Sequence, residues 1–130
     1  MIDHIGLAVS DIARSRAFYE TALAPLGMRV VATIPPEQTE HGGTVVMFGG
    51  DEGPTFVIAG DEERPGEGSH VAFRAGTRDQ VQAFHAAALA AGGRDNGEPG
   101  LREHYGPTYY AAFVIGPDGF NIEAVCHAPE

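Results

Sequence analysis

His4, His70 and Glu123 are the residues in this chain with the clearest capacity for chemistry. Each reads as part of a short strand and sits on the face opposite that strand's apolar residues. Ile5, Leu7 and Val9 alternate with His4, Gly6 and Ala8; Val71 and Phe73 alternate with His70, Ala72 and Arg74. Phe120, Ile122 and Ala124 alternate with Asn121, Glu123 and Val125, a period of two. A strand histidine alone is more often a hydrogen-bonded structural residue, and a strand glutamate alone is more often solvated. Two imidazoles and a carboxylate entering one cavity, however, make a divalent-metal site with open positions.

An internal repeat supplies the reason to expect that convergence. A shift of 66 positions lays His4 on His70, Ala17-Phe18-Tyr19 on Ala83-Phe84-His85, Gly27 on Gly93, and the turn at Gly50–Gly53 on Gly116–Gly119. One constant offset across strand, helix and turn implies two copies of a strand–helix–three-strand module. Paired about a pseudo-twofold axis, the modules would bring the equivalent first strands, with His4 and His70, into one groove.

The elements that carry these residues follow in order. Ile2–Val9 reads as a strand, and Ser10 or Asp11 can cap the helix after it. Met28–Ile34, Thr44–Phe48 and Thr55–Ala59 read as strands, with Pro35-Pro36 and Gly49–Gly53 as breaks. Residues 61–68 form an acidic, Gly-rich linker between module one (1–60) and module two (69–127) of a single domain. In module two, Ser69–Ala75 is a strand, and Thr77 with Gln80 forms a capping box for the next helix, which ends at Gly92-Gly93. Arg94–Gly106 is polar, with one short strand. Thr108–Ile115 and the stretch after Gly116-Pro117-Asp118-Gly119 complete the set.

Composition narrows the function. The 130 residues are 43% hydrophobic, with 18 acidic against 8 basic residues and a formal net charge of −10. No basic stripe exists for nucleic acid, and no apolar run approaches the ~20 residues of a membrane span. All eight basic residues are arginine, which excludes lysine Schiff-base chemistry and a Walker-type phosphate loop. None of the three serines sits in a nucleophile elbow. The one cysteine, Cys126, excludes an internal disulfide and has the parity of a core residue. The first residues lack the pattern of a secretory leader, so a cytoplasmic protein is expected.

The motifs His4-Ile5-Gly6-Leu7-Ala8-Val9-Ser10-Asp11, Arg16-Ala17-Phe18-Tyr19 through Leu26-Gly27, and Asp118-Gly119 followed by Asn121-Ile122-Glu123 resemble the vicinal oxygen chelate superfamily. This is the glyoxalase/bleomycin-resistance/dioxygenase group, and the resemblance covers nearly the whole chain. It implies an α+β fold of two paired βαβββ modules forming a curved eight-stranded mixed sheet with helices outside. It also implies metal ligands His4, His70 and Glu123, the ion being Zn, Ni, Mn, Fe or Co, and a small oxygenated substrate chelated through its oxygens. The chemistry would be that of a lyase, isomerase or dioxygenase, in a homodimer whose site lies within one chain or is shared, His4 of one copy with Glu123 of another. Thr55-Phe56-Val57-Ile58 offers no acid where glyoxalase I resembles a four-ligand site. The alternative is a non-catalytic small-molecule-binding protein of the bleomycin-resistance type.

Further groove residues are expected around these ligands. Arg74 shares the facing of His70 and suits a substrate carboxylate or phosphate, or else an ion pair. Tyr110 shares parity with Ala112 and Val114, opposite Phe113 and Ile115, and is expected in the groove as an acid/base or substrate-orienting group beside Glu123. His104 and Tyr105, on the loop before it, are expected over the cavity, His104 against substrate and Tyr105 among the catalytic groups. His85, His41 and His127 receive no role.

Overall fold

The computed structural model describes residues 3–39, 43–60 and 70–129. The linker expected at 61–68 and His41 lie outside the described residues. Eight strands form two four-stranded mixed sheets, with one long helix to each, in an α+β architecture. In the first half these are β1 (Ile5–Ala8), α1 (Ile12–Leu23), β2 (Arg29–Ile34), β3 (Val45–Gly50) and β4 (Gly53–Ala59). The second half holds β5 (His70–Arg74), α2 (Arg78–Ala90), β6 (Arg94–Leu101), β7 (Tyr110–Ile115) and β8 (Asn121–Cys126). The stretch after Gly93, expected to hold one short strand, is an eight-residue strand with register shifts between Asp95 and Gly97 and between Gly97 and Gly100. Gly97 has φ 157°, which its missing Cβ makes accessible. Those irregularities blur the alternation by which strands are read.

The two sheets have the same order, β1-β4-β3-β2 and β5-β8-β7-β6. Their registers also match at the 66-residue offset. Gly6 pairs with Val57 where Ala72 pairs with Glu123, and Met47 pairs with Val57 where Phe113 pairs with Glu123. In each sheet the first strand is therefore an edge, running parallel beside the last.

Capping fixes where the helices begin. Asp11, rather than Ser10, accepts the Arg14 N–H at the start of α1. Thr77 and Gln80 make the reciprocal capping box of α2. Ser10 is used elsewhere: its N–H and hydroxyl both donate to the buried Asp118 carboxylate in the β7–β8 turn. That contact ties the first half to the second. Asp118 itself has φ 67°, a conformation that Asp tolerates better than most residues.

One core cluster draws on both halves. Tyr19, Phe48 and Phe56 pack edge-on, and Phe56 meets Phe73 of the second sheet at 5.0 Å between ring centroids. Cys126 lies in this core, as its parity implied. His85 of α2 is buried and bonds the Asp95 carboxylate on β6 at 2.9 Å, so its role is to hold helix to strand.

Phe18 of α1 fills the seam between halves, lying against Gly93 and Gly116. A Cβ at Gly93 would stand 2.8 Å from the Ala88 carbonyl oxygen and 2.9 Å from the Phe18 ring. Backbone on one side and a packed ring on the other leave it little room to relax. Gly93→Ala is expected to destabilise the fold by about 1–3 kcal/mol, as overpacking does. Gly50→Ala, whose Cβ would meet nothing nearer than 3.8 Å, should stay within ~0.5 kcal/mol. Urea unfolding of the two variants checks the contrast.

Candidate functional site

Glu123 is 2% exposed, although it points away from the helix-facing core. A carboxylate so enclosed needs partners, because desolvating it unpaired is costly. The fold supplies two. The Tyr109 hydroxyl donates to Oε2, and His70 Nε2 lies 3.1 Å from Oε1. His70 begins edge strand β5, while Tyr109 stands just ahead of β7, so the two neighbours of β8 each contribute one group.

The other ring nitrogen of His70 decides what that contact means. Nδ1 lies 2.9 Å from the Asn121 carbonyl oxygen, which can only accept, so Nδ1 carries a proton. In the neutral ring Nε2 then presents a lone pair to the carboxylate. Two lone pairs 3.1 Å apart repel unless a proton or a cation stands between them. An imidazole nitrogen with its far side fixed by a carbonyl, beside a carboxylate, is a donor set that fits a divalent metal ion.

These groups line an open cleft of about 360 Å³ with Tyr105, Phe113 and Asn121. His70 stacks on Phe113, and Tyr105 and Tyr109 pack edge to face at 5.2 Å. Arg102 anchors the loop that carries both tyrosines. Its guanidinium donates to the carbonyls of Glu98, Gly100 and Ala111 and lies over the Phe113 ring.

Of the residues expected in the groove, the structure brings together His70, Glu123 and Tyr105. His104 stacks on Tyr105 but does not line the cleft. His4 stands apart, exposed and bonded to the neighbouring Asp3 at 2.8 Å. Among the described residues no group of three or more His, Cys, Asp and Glu side chains converges on one ion position. Arg74 lines a different cavity and makes no ion pair among the described residues.

Tyr110 requires a correction. It points to the helix side, where Gln82 donates to its hydroxyl at 2.9 Å and Arg78 covers its ring. Its strand partners Ala112 and Val114 belong to the core, while Phe113 faces the cleft. Tyr109, one position earlier, is the tyrosine at the site. Although Phe113 and Ile115 are the larger residues, the core face of β7 is the one that carries the smaller Ala112 and Val114. The turn held the signal: Ile115 opposite Asn121 sets Phe113 opposite Glu123, and opposed residues share a face.

Residues 1–124 match the Glyoxalase/Bleomycin resistance protein/Dioxygenase superfamily. The chain belongs to that superfamily. It is 32% identical over 130 residues to a Vibrio cholerae protein named "Probable lactoylglutathione lyase", covering 94% of this chain and 87% of that protein. A glyoxalase/bleomycin resistance protein from Albidiferax ferrireducens superposes with a TM-score of 0.78 at 28% identity, over 98% of this chain and 99% of that one. Glyoxalase I from Zea mays shares the fold at TM-score 0.66 and 22% identity, this chain spanning 45% of its length. No helix among the described residues is long and apolar enough to cross a membrane.

The environment of Tyr109 makes a pH prediction for this superfamily member. Burial first, then donation to the Glu123 carboxylate and the charge on it, push the phenol up to about 12. The unfolded chain ionises the same tyrosine near ~10. Stability is therefore fully present below pH ~10 and falls as pH rises towards about 12, because the folded chain holds the proton longer. Tyr109→Phe should flatten that alkaline loss in denaturation measured at successive pH values. At neutral pH the same variant leaves Oε2 without its donor, at a cost of about 1–3 kcal/mol.

Proposed function

We propose that this protein is a divalent-metal-dependent lyase or isomerase that moves a proton between adjacent carbons of a small carbonyl substrate. The observation that carries this reading is the Glu123 carboxylate, buried and split in its duties. Oε2 is held by the Tyr109 hydroxyl, and Oε1 opens to the cleft beside His70. A base needs an oxygen held at the cleft in a fixed orientation, and this arrangement provides one.

In this reading Glu123 Oε1 takes the proton from the carbon bearing the substrate hydroxyl and returns it to the neighbouring carbon, while the hydroxyl proton passes to the neighbouring carbonyl oxygen, so that carbonyl and carbinol exchange places. The exchange balances within the substrate and needs no oxidant. Tyr109 keeps the carboxylate from rotating and lends its proton to the oxygen not engaged in transfer. Phe113, Tyr105 and the His70 ring form walls that limit water around the reacting carbons. A metal bound by His70 and Glu123 would supply Lewis-acid stabilisation of the enolate-like charge on the substrate oxygens. The likeness to a protein named "Probable lactoylglutathione lyase" supports a hemithioacetal of an α-oxoaldehyde as the substrate.

The third ligand proposed is His4 of a second copy, making the enzyme a homodimer. Two observations support it: His70 and Glu123 meet without His4, and His4 precedes an edge strand and is exposed. The position equivalent to Glu123 in the first sheet is Val57, which has no donor. That same Val57 favours the second reading, a binding protein without turnover.

Purified without chelator or affinity-resin metal, the protein should carry about one divalent ion per chain and run as a dimer in light scattering. His70→Ala, Glu123→Gln and His4→Ala should each lose most of the metal, as removing one of few ligands does. Turnover of methylglyoxal with glutathione, assayed with Ni, Zn, Co or Mn, should fall by about 10²–10⁴ in Glu123→Gln. Metal-free wild type that binds small molecules without turnover would establish the binding-protein reading instead.

A further inference from the structure

Arg102 stands just after β6, half-buried, at the base of the loop that carries Tyr105 and Tyr109. Its backbone closes that loop. The Arg102 N–H donates to the Tyr109 carbonyl at 2.8 Å, and the Arg102 carbonyl accepts from the Tyr105 N–H at 2.9 Å and the Gly106 N–H at 3.3 Å. The side chain spans two strands. Nη1 donates to the Gly100 carbonyl at 2.7 Å and the Ala111 carbonyl at 3.1 Å, and Nη2 donates to the Glu98 carbonyl at 2.8 Å. The guanidinium lies 5.4 Å from the centre of the Phe113 ring.

The irregular part of β6 is shaped around this group. Between Gly97, opposite Phe113, and Gly100, opposite Ala111, β6 takes three steps where β7 takes two. The extra residue is a bulge, which bends a strand and re-aims what it carries. Pro99 sits within it, on an edge strand that tolerates a residue without an N–H. The glycines at both ends lie where the guanidinium comes close. A Cβ at Gly97 would stand 3.0 Å from Nη2 and 2.9 Å from the Phe113 ring, and one at Gly100 would stand 3.3 Å from Nη1. The stretch that departs from strand alternation is the cradle of one side chain.

We propose that Arg102 is the positioning residue of the Glu123 cleft: caged by three carbonyls and an aromatic ring, it sets the loop that places the Tyr109 hydroxyl on the carboxylate. The side chains it fixes belong to that cleft. Tyr105, Tyr109 and Phe113 line it, and Tyr109 holds Oε2. The cage selects shape as well as charge. Two nitrogens of a planar fork reach carbonyls on two strands while the group lies over a ring, which a lysine ammonium cannot do from one nitrogen.

The catalytic consequence rests on the reading of Glu123 as the base; the hold on Tyr109 does not. With the cage broken, the base of the loop loosens and the phenol no longer pins Oε2. Oε1 then loses its fixed orientation towards the cleft. Misplacing a reacting group by about 1 Å costs on the order of 10²-fold in rate. That loss should fall on kcat rather than KM, since the carboxylate and the His70 ring remain in place.

Amide hydrogen exchange of the full chain reads the hold directly. In Arg102→Ala the amides of Tyr105, Gly106 and Tyr109 should exchange at least about tenfold faster, while those of β1–β4 keep wild-type rates. Ethylguanidinium, the part of the side chain that alanine removes, should restore slow exchange far below denaturing concentrations, and n-propylammonium should not. In the metal-loaded protein, kcat for methylglyoxal with glutathione should fall by about 10–100-fold in Arg102→Ala and recover with ethylguanidinium. Arg102→Lys should behave more like the alanine variant than like wild type. It carries the test if the alanine variant does not fold, which circular dichroism checks: loop amides faster, first-sheet amides unchanged. If wild type shows no turnover, the lyase reading fails, and exchange alone decides for or against Arg102. Unchanged loop exchange, loosening spread evenly over both sheets, no rescue of the alanine variant, or loosened exchange with wild-type kcat overturns the proposal.

Discussion

A carboxylate at 2% exposure cannot be left to water, and the side chains around the second sheet's cleft are arranged about Glu123. Its two oxygens draw a partner from each neighbouring element, His70 from β5 and Tyr109 from the loop before β7. Those partners are in turn fixed: His70 by the Asn121 carbonyl, and the tyrosine loop by the carbonyl contacts of Arg102. Removing the Tyr109 hydroxyl would leave Oε2 without its donor, so the carboxylate depends on the loop that carries the tyrosine. The same enclosure that makes the carboxylate expensive to hold strengthens its interaction with the groups beside it.

Most of the fold was legible because the sequence repeats. The 66-residue offset aligned His4 with His70 and Val57 with Glu123; Val57 and Glu123 occupy matching places in the two sheets, while His4 stands just ahead of β1 where His70 opens β5. Capping was legible too, since Thr77 and Gln80 make a reciprocal bond that depends only on local spacing. β6 was harder to read. Its glycines, proline and register shifts remove the alternation on which strand reading rests, and cross-strand pairing holds it in place.

The site was legible in its acid and one histidine, but not in its tyrosine. Parity within β7 left two faces of similar apolarity, and residue size favoured the wrong one. Helices pack closest where side chains are small, so Ala112 and Val114 face α2 while Phe113 closes the cleft. The pairing partner of a strand carries the missing information, and a tight turn fixes that partner. His4 failed to meet His70 for a different reason. Duplication makes positions equivalent without making them adjacent: His4 stands just ahead of β1 in one sheet, and His70 opens β5 in the other.

That distinction bears on how a duplicated domain acquires one site rather than two. The cleft of the second sheet holds Glu123, Phe113 and Asn121; the same register in the first holds Val57, Met47 and Thr55. Side-chain chemistry has diverged while the backbone pairing has not. A valine in place of the glutamate removes the need for a buried partner, which frees His4 to lie at the surface with Asp3. An exposed imidazole beside an edge strand is then positioned by the fold but not committed by it. The half without a carboxylate at this register is also the half whose histidine lies at the surface.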